Sequence, residues 1–563
     1  MTMTSPAQTA SLGSGLTVLV LAPMVAHMTW RPAAVALGST VEGTAPAVSV
    51  AAVAVAALAA WLSLRPRRLA SGVVVPAALA LGLLVGGAAG VVSLLGVGLC
   101  ALLVRPGMHA SLRTTLEATP PPSRVGLAVW CVVVLGCLVG SVSLATYFGD
   151  PWAEGYGLSV DAVIYRHFCA SAYLHAAELV HSGVANVYDL SLVPPGGELP
   201  ASAAHMAPFE LDRYGYPPQF LLIPLALIAV VGDFAAQRAV WTCTNALLFA
   251  AVLWRGGLWV GPRSGRTVRA LAPVLWLLGG VTFQVGNIQL SILVLSLLAM
   301  MAFDERRDRV GGALLAGVTL AKIAPGLLGV LLLARQRWLG VGWTVGFAVL
   351  FSALALLVMG PGVFVAFLEY HLPMVSSGEA YSFLDDNSRL IYENLSPFGI
   401  PFKLAAMGAE LDPWVWGPRV VGAYTVLAFV LAAVAGRRVL DRRGLVAVWA
   451  LVLTVASLRS PMAPGYMLAG VLLALALVGA EVRTAAGWAL GVGLVLAMTL
   501  TTPFFAALPL WVALAGQAIM HGAIVWLMLR RWPVLDEALQ PHALGGAEGE
   551  MRPGRGGAGL SQV

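Results

Sequence analysis

Apolar runs of roughly membrane-spanning length alternate with short arginine-bearing breaks along most of this chain, and two long polar loops interrupt the rhythm. A spanning helix takes roughly 20 apolar residues, fewer where a helix is broken or packed inside a bundle. The pattern predicts such segments at 14–30, 46–64, a Gly-rich hairpin at 71–104, and 125–147. After the first polar loop it predicts 237–254, 270–286, 288–303, a broken pair over 310–334, and 341–360. The second polar loop, about 363–413, precedes 414–435, 444–458, 465–481, 486–502 and 508–529. The predicted fold is an all-α polytopic membrane protein with two long extracytoplasmic loops, 148–236 and 363–413, that carry surface helices. Residues 1–104 read as additional N-terminal transmembrane helices, 105–531 as the core, and 532–563 as a disordered cytoplasmic tail.

Charge sets the direction. Arginines cluster at 65–68, 105–124, 255–269, 306–309, 335–337, 437–443 and 530–531, while Asp and Glu dominate the two long loops. Cytoplasmic loops carry the basic excess, so the arginine breaks belong inside and both acidic loops outside. That parity has a consequence for the run 216–232, which is short, holds Pro217, Pro218 and Pro224, and ends at Gly232-Asp233. A full span there would put the 255–269 cluster outside, so the run reads as a helix at the outer surface or one that dips in and returns. By the same count 310–334 goes out and comes back, with Lys322-Ile323-Ala324-Pro325 at its outer turn. Both termini then lie in the cytoplasm, and the expected location is a bacterial inner cell membrane.

Composition agrees. Of the 563 residues 59% are hydrophobic and 11% charged, with a mean hydropathy of +0.85. A soluble core of this size has no room for so much apolar surface, whereas a bilayer accepts it. The formal net charge of +6 is spread over loop clusters, so nucleic acid is not an expected partner. The N-terminus lacks a basic n-region and a clear cleavage site, so its first apolar run is expected to remain as an anchor. The five cysteines show no pairing framework and no zinc-ligand spacing, and the outer histidines are scattered. Neither disulfides, nor a metal, nor any other cofactor is expected.

The candidate chemistry gathers in the first outer loop, from about Tyr147 to Pro218. Within 160–181, Asp161, Tyr165, Phe168, Ala172, His175 and Leu179 repeat at the helical period, which places Asp161 and Tyr165 on one face of a surface helix. Two readings of Asp161 stand. It is either an N-terminal helix residue stabilised by the macrodipole, or a carboxylate beside apolar surface whose raised pKa suits a general base acting on a hydroxyl. Asp385 and Asp386, in the second loop, are the alternative bases. Lys322 is one of only two lysines, the other being Lys403. A lysine at a membrane boundary is either snorkelling or functional. Arg459, beside Ser460, stands at another expected outer turn. Asn394 and Ser396 suit a turn, and Asn287 and Gln289 suit the closing of an outer turn.

Several motifs together resemble one family. Asp161, Tyr165, Gly183 and Tyr188 are similar to the D-x-x-x-Y…G…Y pattern in the first external loop of glycosyltransferase family 87. Tyr216-Pro217-Pro218 resembles its Y-x-P motif, and Gly286-Asn287 its G-[NQ] turn. Gly317, Lys322 and Pro325 resemble its small-residue helix ending in K-x-x-P. Asn394-Leu395-Ser396-Pro397-Phe398-Gly399, followed by Lys403-Leu404, resembles N-x-S-x-x-G…[RK]-L, and Ser460-Pro461 its later S-P turn. The resemblance covers about 125–470. It departs where the family's S-P turn continues to a histidine and this chain has Tyr466, and where four predicted spans precede the first external loop.

The resemblance implies a GT-C-like helical bundle and a polyprenyl-phosphate-sugar-dependent transferase. Mannose or arabinofuranose would be the donor sugar, a glycolipid or cell-wall glycan the acceptor, and the reaction would invert the anomeric centre. Asp161 would be the catalytic base, Lys322 and Arg459 the donor phosphate ligands, and Tyr165, Tyr216, Asn394, Ser396 and Tyr466 the substrate contacts. A lipid-linked-sugar flippase is the main rival; it would favour two repeated halves around a midplane cavity, and no internal repeat is visible. A glycan polymerase or ligase is the other.

Overall fold

The computed structural model describes residues 166–193, 199–260, 282–384, 388–438, 440–479 and 508–530, together with the isolated positions 147, 268 and 275. The predicted segments at 1–104 and 486–502, the tail, and most of 125–147 and 270–286 lie outside the described residues. So do Asp161, Tyr165, Asp385 and Asp386. Among the described residues the structure is helical and contains no β-strand, only an isolated bridge between His167 and Glu210.

The helices follow the apolar runs. The principal ones in chain order are α1 (Cys169–His181), α2 (Leu222–Val230), α3 (Phe234–Trp259), α4 (Gln289–Asp304), α5 (Asp308–Ala321), α6 (Leu328–Ala334) and α7 (Trp338–Met359), followed by a short helical stretch over 362–377. The second half holds α8 (Ser388–Glu393), α9 (Gly399–Ala406), α10 (Pro413–Gly436), α11 (Arg442–Ser457), α12 (Ala469–Gly479) and α13 (Leu510–Leu529). Three of them, α7, α10 and α13, are long and apolar enough to cross a membrane. Their starts follow local chemistry. The Asp233, Asp412 and Asp441 carboxylates accept backbone N–H groups at the first turns of α3, α10 and α11, which satisfies donors the helix leaves over and suits the dipole. Pro413 occupies the first turn of α10, where its missing N–H costs nothing.

Two interruptions matter for function. The predicted broken pair is broken at Lys322, whose backbone is extended between α5 and a short 3-10 turn at Ala324–Leu327. Pro325 explains the break: it has no N–H to give Ala321, and its ring would strike that carbonyl. The run after Tyr216 forms a short helical stretch, a 3-10 turn at Pro218–Leu221 followed by α2, shorter than a spanning helix.

One expectation is corrected. The helical period read across 160–181 does not run through as one helix, because Phe168 is extended (φ −141, ψ 91) and α1 starts only at Cys169. Tertiary bonding fixes the interruption: Glu210 N donates to Arg166 O at 2.9 Å, and Ser171 Oγ donates to the carbonyls of Phe168 and Glu210. Phe168 is thereby outside the helix that carries Ala172, His175 and Leu179, and Asp161 and Tyr165 lie outside the described residues.

The core is built on α11, buried from Arg443 to Ser457, with α4 beside it, buried over most of its length. Around this pair α3 packs on α4, α5 on α4 and α7, α6 on α10, and α12 and α13 on α11. By contrast, only Gly340 and Ala355 of α7 are buried, so α7 presents an apolar surface outward, as a lipid-facing helix would.

Arginines join one set of helix ends. Arg255 pairs with Glu305 at 2.5 Å and Arg337 with Asp308 at 2.9 Å. Arg335 donates to Gly436 O, Arg438 to the carbonyls of Met528 and Arg530, and Arg442 to Trp259 O. All of these belong to the breaks expected in the cytoplasm. The N-terminus of α4, the C-termini of α5 and α11 and the two long polar loops meet at the opposite end.

Candidate active site

Lys322 sits at that opposite end because α5 stops beneath it. Its Nζ donates to Gln289 Oε1 at 2.7 Å, and Gln289 Nε2 donates to Ser457 Oγ at 3.0 Å. Three helix ends are thereby tied together: the C-terminus of α5, the N-terminus of α4 and the C-terminus of α11. The Lys322 ammonium also lies 5.8 Å from the centroid of the Tyr216 ring, within range of a cation–π attraction. A small cavity of about 10 Å³ lies beside Gln289 and Ser457 and is lined further by Leu293, Thr454, Met467 and Gly470.

Tyr216 is held by the first loop. Its hydroxyl accepts from Tyr173 OH at 2.8 Å, and its carbonyl accepts from Tyr188 OH at 2.9 Å. The Tyr188 ring stacks on His371 of the second loop at 4.7 Å between centroids. Gly183, at φ +91, ends α1 and lets the chain turn toward Tyr188, a conformation glycine adopts without strain.

The turn before α4 needs its glycine twice over. Gly286 has φ +68, and a Cβ there would stand 2.7 Å from Ala170 Cβ. Trp241 Nε1 donates to its carbonyl at 2.8 Å. The next residue, Asn287, accepts from Gln289 N at 2.9 Å and donates to Cys169 Sγ at 3.4 Å. The first loop and the start of α4 thus dock through small residues and one side-chain amide.

On the solvent side of this docking, His167 Nε2 lies 3.3 Å from Cys169 Sγ and 3.3 Å from Asp212 Oδ2. Desolvation disfavours the charged imidazole, but Asp212 and Cys169 outweigh it, and the His167 pKa is raised to about 10.

The second loop is clasped onto the turn after α11. Asn394 is fully buried; its Nδ2 donates to Pro461 O at 2.8 Å, and its Oδ1 accepts from the N–H groups of Ser396 and Ala463, each at 3.0 Å. Ser396 Oγ accepts from Phe398 N at 3.1 Å. The Asn394 side chain is therefore spent on backbone, while Ser396 Oγ supports the turn and keeps its O–H to donate. Lys403, also fully buried, donates to Asn394 O at 2.5 Å and to Gln517 Oε1 at 2.7 Å. Gln517 Nε2 in turn donates to the carbonyls of Leu395 and Ser396. Burial lowers the Lys403 pKa to about 7. Glu393, next to Asn394, is pushed up to about 7 by burial against the opposing pull of Arg389.

Arg459 lies in the turn that Asn394 clasps and donates through Nε to Thr425 Oγ1 of α10 at 2.8 Å. Residues 214–461, which run from this turn back to the end of the first loop, match the family pattern described as glycosyltransferase family 87. The match supports membership of glycosyltransferase family 87 for this segment. No curated protein and no solved structure matches it.

Within the family 87 segment lie Tyr216, Gln289, Lys322, Asn394, Ser396 and Arg459. Asp161 and Tyr165 precede it, and Tyr466, placed in a 3-10 turn, follows it. The structure brings Lys322 and Tyr216 together and links them through Gln289 and Ser457 to the turn carrying Arg459. Gln289 and Ser457 escaped the sequence reading as site residues: in sequence they are a turn residue and a helix end, and only packing joins them to Lys322.

Proposed function

We propose that this family 87 glycosyltransferase is an integral membrane enzyme that takes a mannose or arabinofuranose unit from a polyprenyl phosphate. It passes the sugar to a glycolipid or cell-wall glycan, with inversion, at the extracytoplasmic face of a bacterial cell membrane. The observation that carries the reading is the setting of Lys322: an ammonium at a helix break, flanked by Gln289 and the Tyr216 ring, at the bundle end opposite the arginine clusters. A lipid phosphate presents one mobile negative group at such a level, and Lys is the point-charge partner for it.

In the proposed step the acceptor oxygen forms a bond to the anomeric carbon as its proton passes to Asp161. The carbon–oxygen bond to the phosphate breaks, and the phosphate leaves with the electron pair. Lys322 and Arg459 steady its growing charge. One displacement without a covalent enzyme intermediate inverts the centre.

The test is sugar transfer by membranes supplied with a radiolabelled polyprenyl-phosphate sugar, comparing wild type with Asp161→Asn and Lys322→Met. Loss of labelled product in both variants is the expected result. Full-rate transfer by Asp161→Asn removes that residue from the role of base, and label that crosses the bilayer unchanged in wild type replaces the transferase with a flippase.

A further inference from the structure

We propose that His167, Cys169 and Asp212 form a zinc-binding site beside the Lys322–Tyr216 cluster. The three donor atoms all lie within 4.8 Å of one another, with His167 Nε2 at 3.3 Å from both the Cys169 sulfur and the Asp212 oxygen. Zinc binds sulfur at about 2.3 Å and nitrogen or oxygen at about 2.0 Å, and tetrahedral angles then put nitrogen about 3.5 Å from sulfur and about 3.3 Å from oxygen. The two separations from His167 already stand near those values, and the sulfur and carboxylate oxygen lie within 4.8 Å of each other.

Hydrogen bonding accounts less well for the arrangement. A ring nitrogen carries at most one proton, and here two partners meet the same nitrogen at equal distance. A cation between them satisfies both. Sulfur, nitrogen and oxygen donors together suit zinc better than magnesium or calcium, which take oxygen. Cys169 is free of any disulfide, and Asn287 donates to its sulfur at 3.4 Å, the kind of outer support that metal-bound thiolates receive.

The ligands stand on fixed backbone. Cys169 opens α1, and the bridge between His167 and Glu210 sets the chain just before Asp212. The His167 and Asp212 side chains are 34% and 37% exposed, which gives an ion a route from solvent. On binding, the Cys169 thiol and the His167 imidazolium each release a proton to water, and thiolate plus carboxylate balance the two positive charges. Three protein ligands leave one tetrahedral position open for an oxygen. α1, which Cys169 opens, also carries Tyr173, the hydroxyl partner of Tyr216. Giving the open position to a donor phosphate rests on the proposed function; the metal site itself does not. Spacing alone hid the site, because Asp212 is far from the His167-x-Cys169 pair in sequence.

The test uses full-length protein in detergent, stripped by chelator and titrated with Co²⁺ alone. The expected result is one equivalent bound, visible bands of a four-coordinate ion and a near-ultraviolet thiolate charge-transfer band. Cys169→Ser removes the charge-transfer band, Cys243→Ser keeps it, and Asn287→Leu weakens binding about 10- to 100-fold. A wild-type spectrum without the thiolate band, or one unchanged by Cys169→Ser, overturns the site. Since Cys169→Ser could unfold the protein, the wild type supplies a second readout: Zn²⁺ must protect Cys169 from maleimide labelling, read by mass spectrometry, and equal labelling with and without Zn²⁺ overturns the proposal. Neither readout involves sugar transfer, so failure here leaves the proposed function standing.

Discussion

The Lys322 ammonium donates to the Gln289 side-chain carbonyl at 2.7 Å, across an interface that no neighbouring sequence positions define. Gln289 is in turn held by Ser457, so the cation is aimed by two helices other than its own. Removing such a charge from a transition state that develops a leaving phosphate costs on the order of 10²- to 10³-fold in rate. Lys322→Met is therefore expected to lower kcat by about that factor, and Gln289→Leu by less, because the ammonium stays and only its aim is lost. Steady-state transfer kinetics check the order; a Gln289 variant worse than the Lys322 variant would reverse the assignment.

Asn394 is spent on backbone, with bonds to Pro461, Ser396 and Ala463. Truncating it to Ala leaves buried backbone groups unpaired, at about 1–3 kcal/mol for each. The expected outcome is a lower melting temperature with an unchanged donor KM per folded molecule. A selective rise in KM at unchanged stability would instead make Asn394 a sugar contact.

Gly286 and Gly183 both have positive φ, but only Gly286 faces a wall, with Ala170 Cβ 2.7 Å from where a Cβ would stand. Gly183→Ala is expected to cost about 1–2 kcal/mol of backbone strain. Gly286→Ala adds an overpacking cost of about 1–3 kcal/mol and pushes α1 from the start of α4. Thermal melts of the two variants compare them directly, and equal losses would show that the docking yields freely.

Lys403 gives a pH signature. Its folded pKa, lowered by burial to about 7, lies below the usual lysine value of about 10.4. The unfolded chain therefore binds more protons between those values. Below about 7 the full penalty of burying the charge is present, and stability rises as pH climbs from 7 toward 10. Melting curves across that range are expected to show the rise in wild type and a flatter profile in Lys403→Met. Parallel profiles would mean that Lys403 does not titrate in the fold.

Much of the bundle was legible in the chain. Apolar runs delivered α3, α4, α7, α10, α11 and α13 nearly at their bounds, because burying or lipid-solvating an apolar stretch is a local demand met by a helix. The break at Lys322 was legible for the same reason, since Pro325 acts on the residue four before it. The helix across 160–181 was misread: periodicity cannot register that Arg166 and Phe168 give their carbonyls to Glu210 and Ser171.

By itself the sequence determined where helices form, which breaks carry arginine, and which lysine stands at a helix break, all of them consequences of residues within a few turns of one another. Only the tertiary structure decided that Gln289 and Ser457 serve Lys322, that Asn394 serves the backbone, and that Asp212 meets His167 and Cys169. Those pairings join residues dozens to hundreds of positions apart, and their partners are selected by how close-packed helices bring polar ends together, a choice no local pattern encodes.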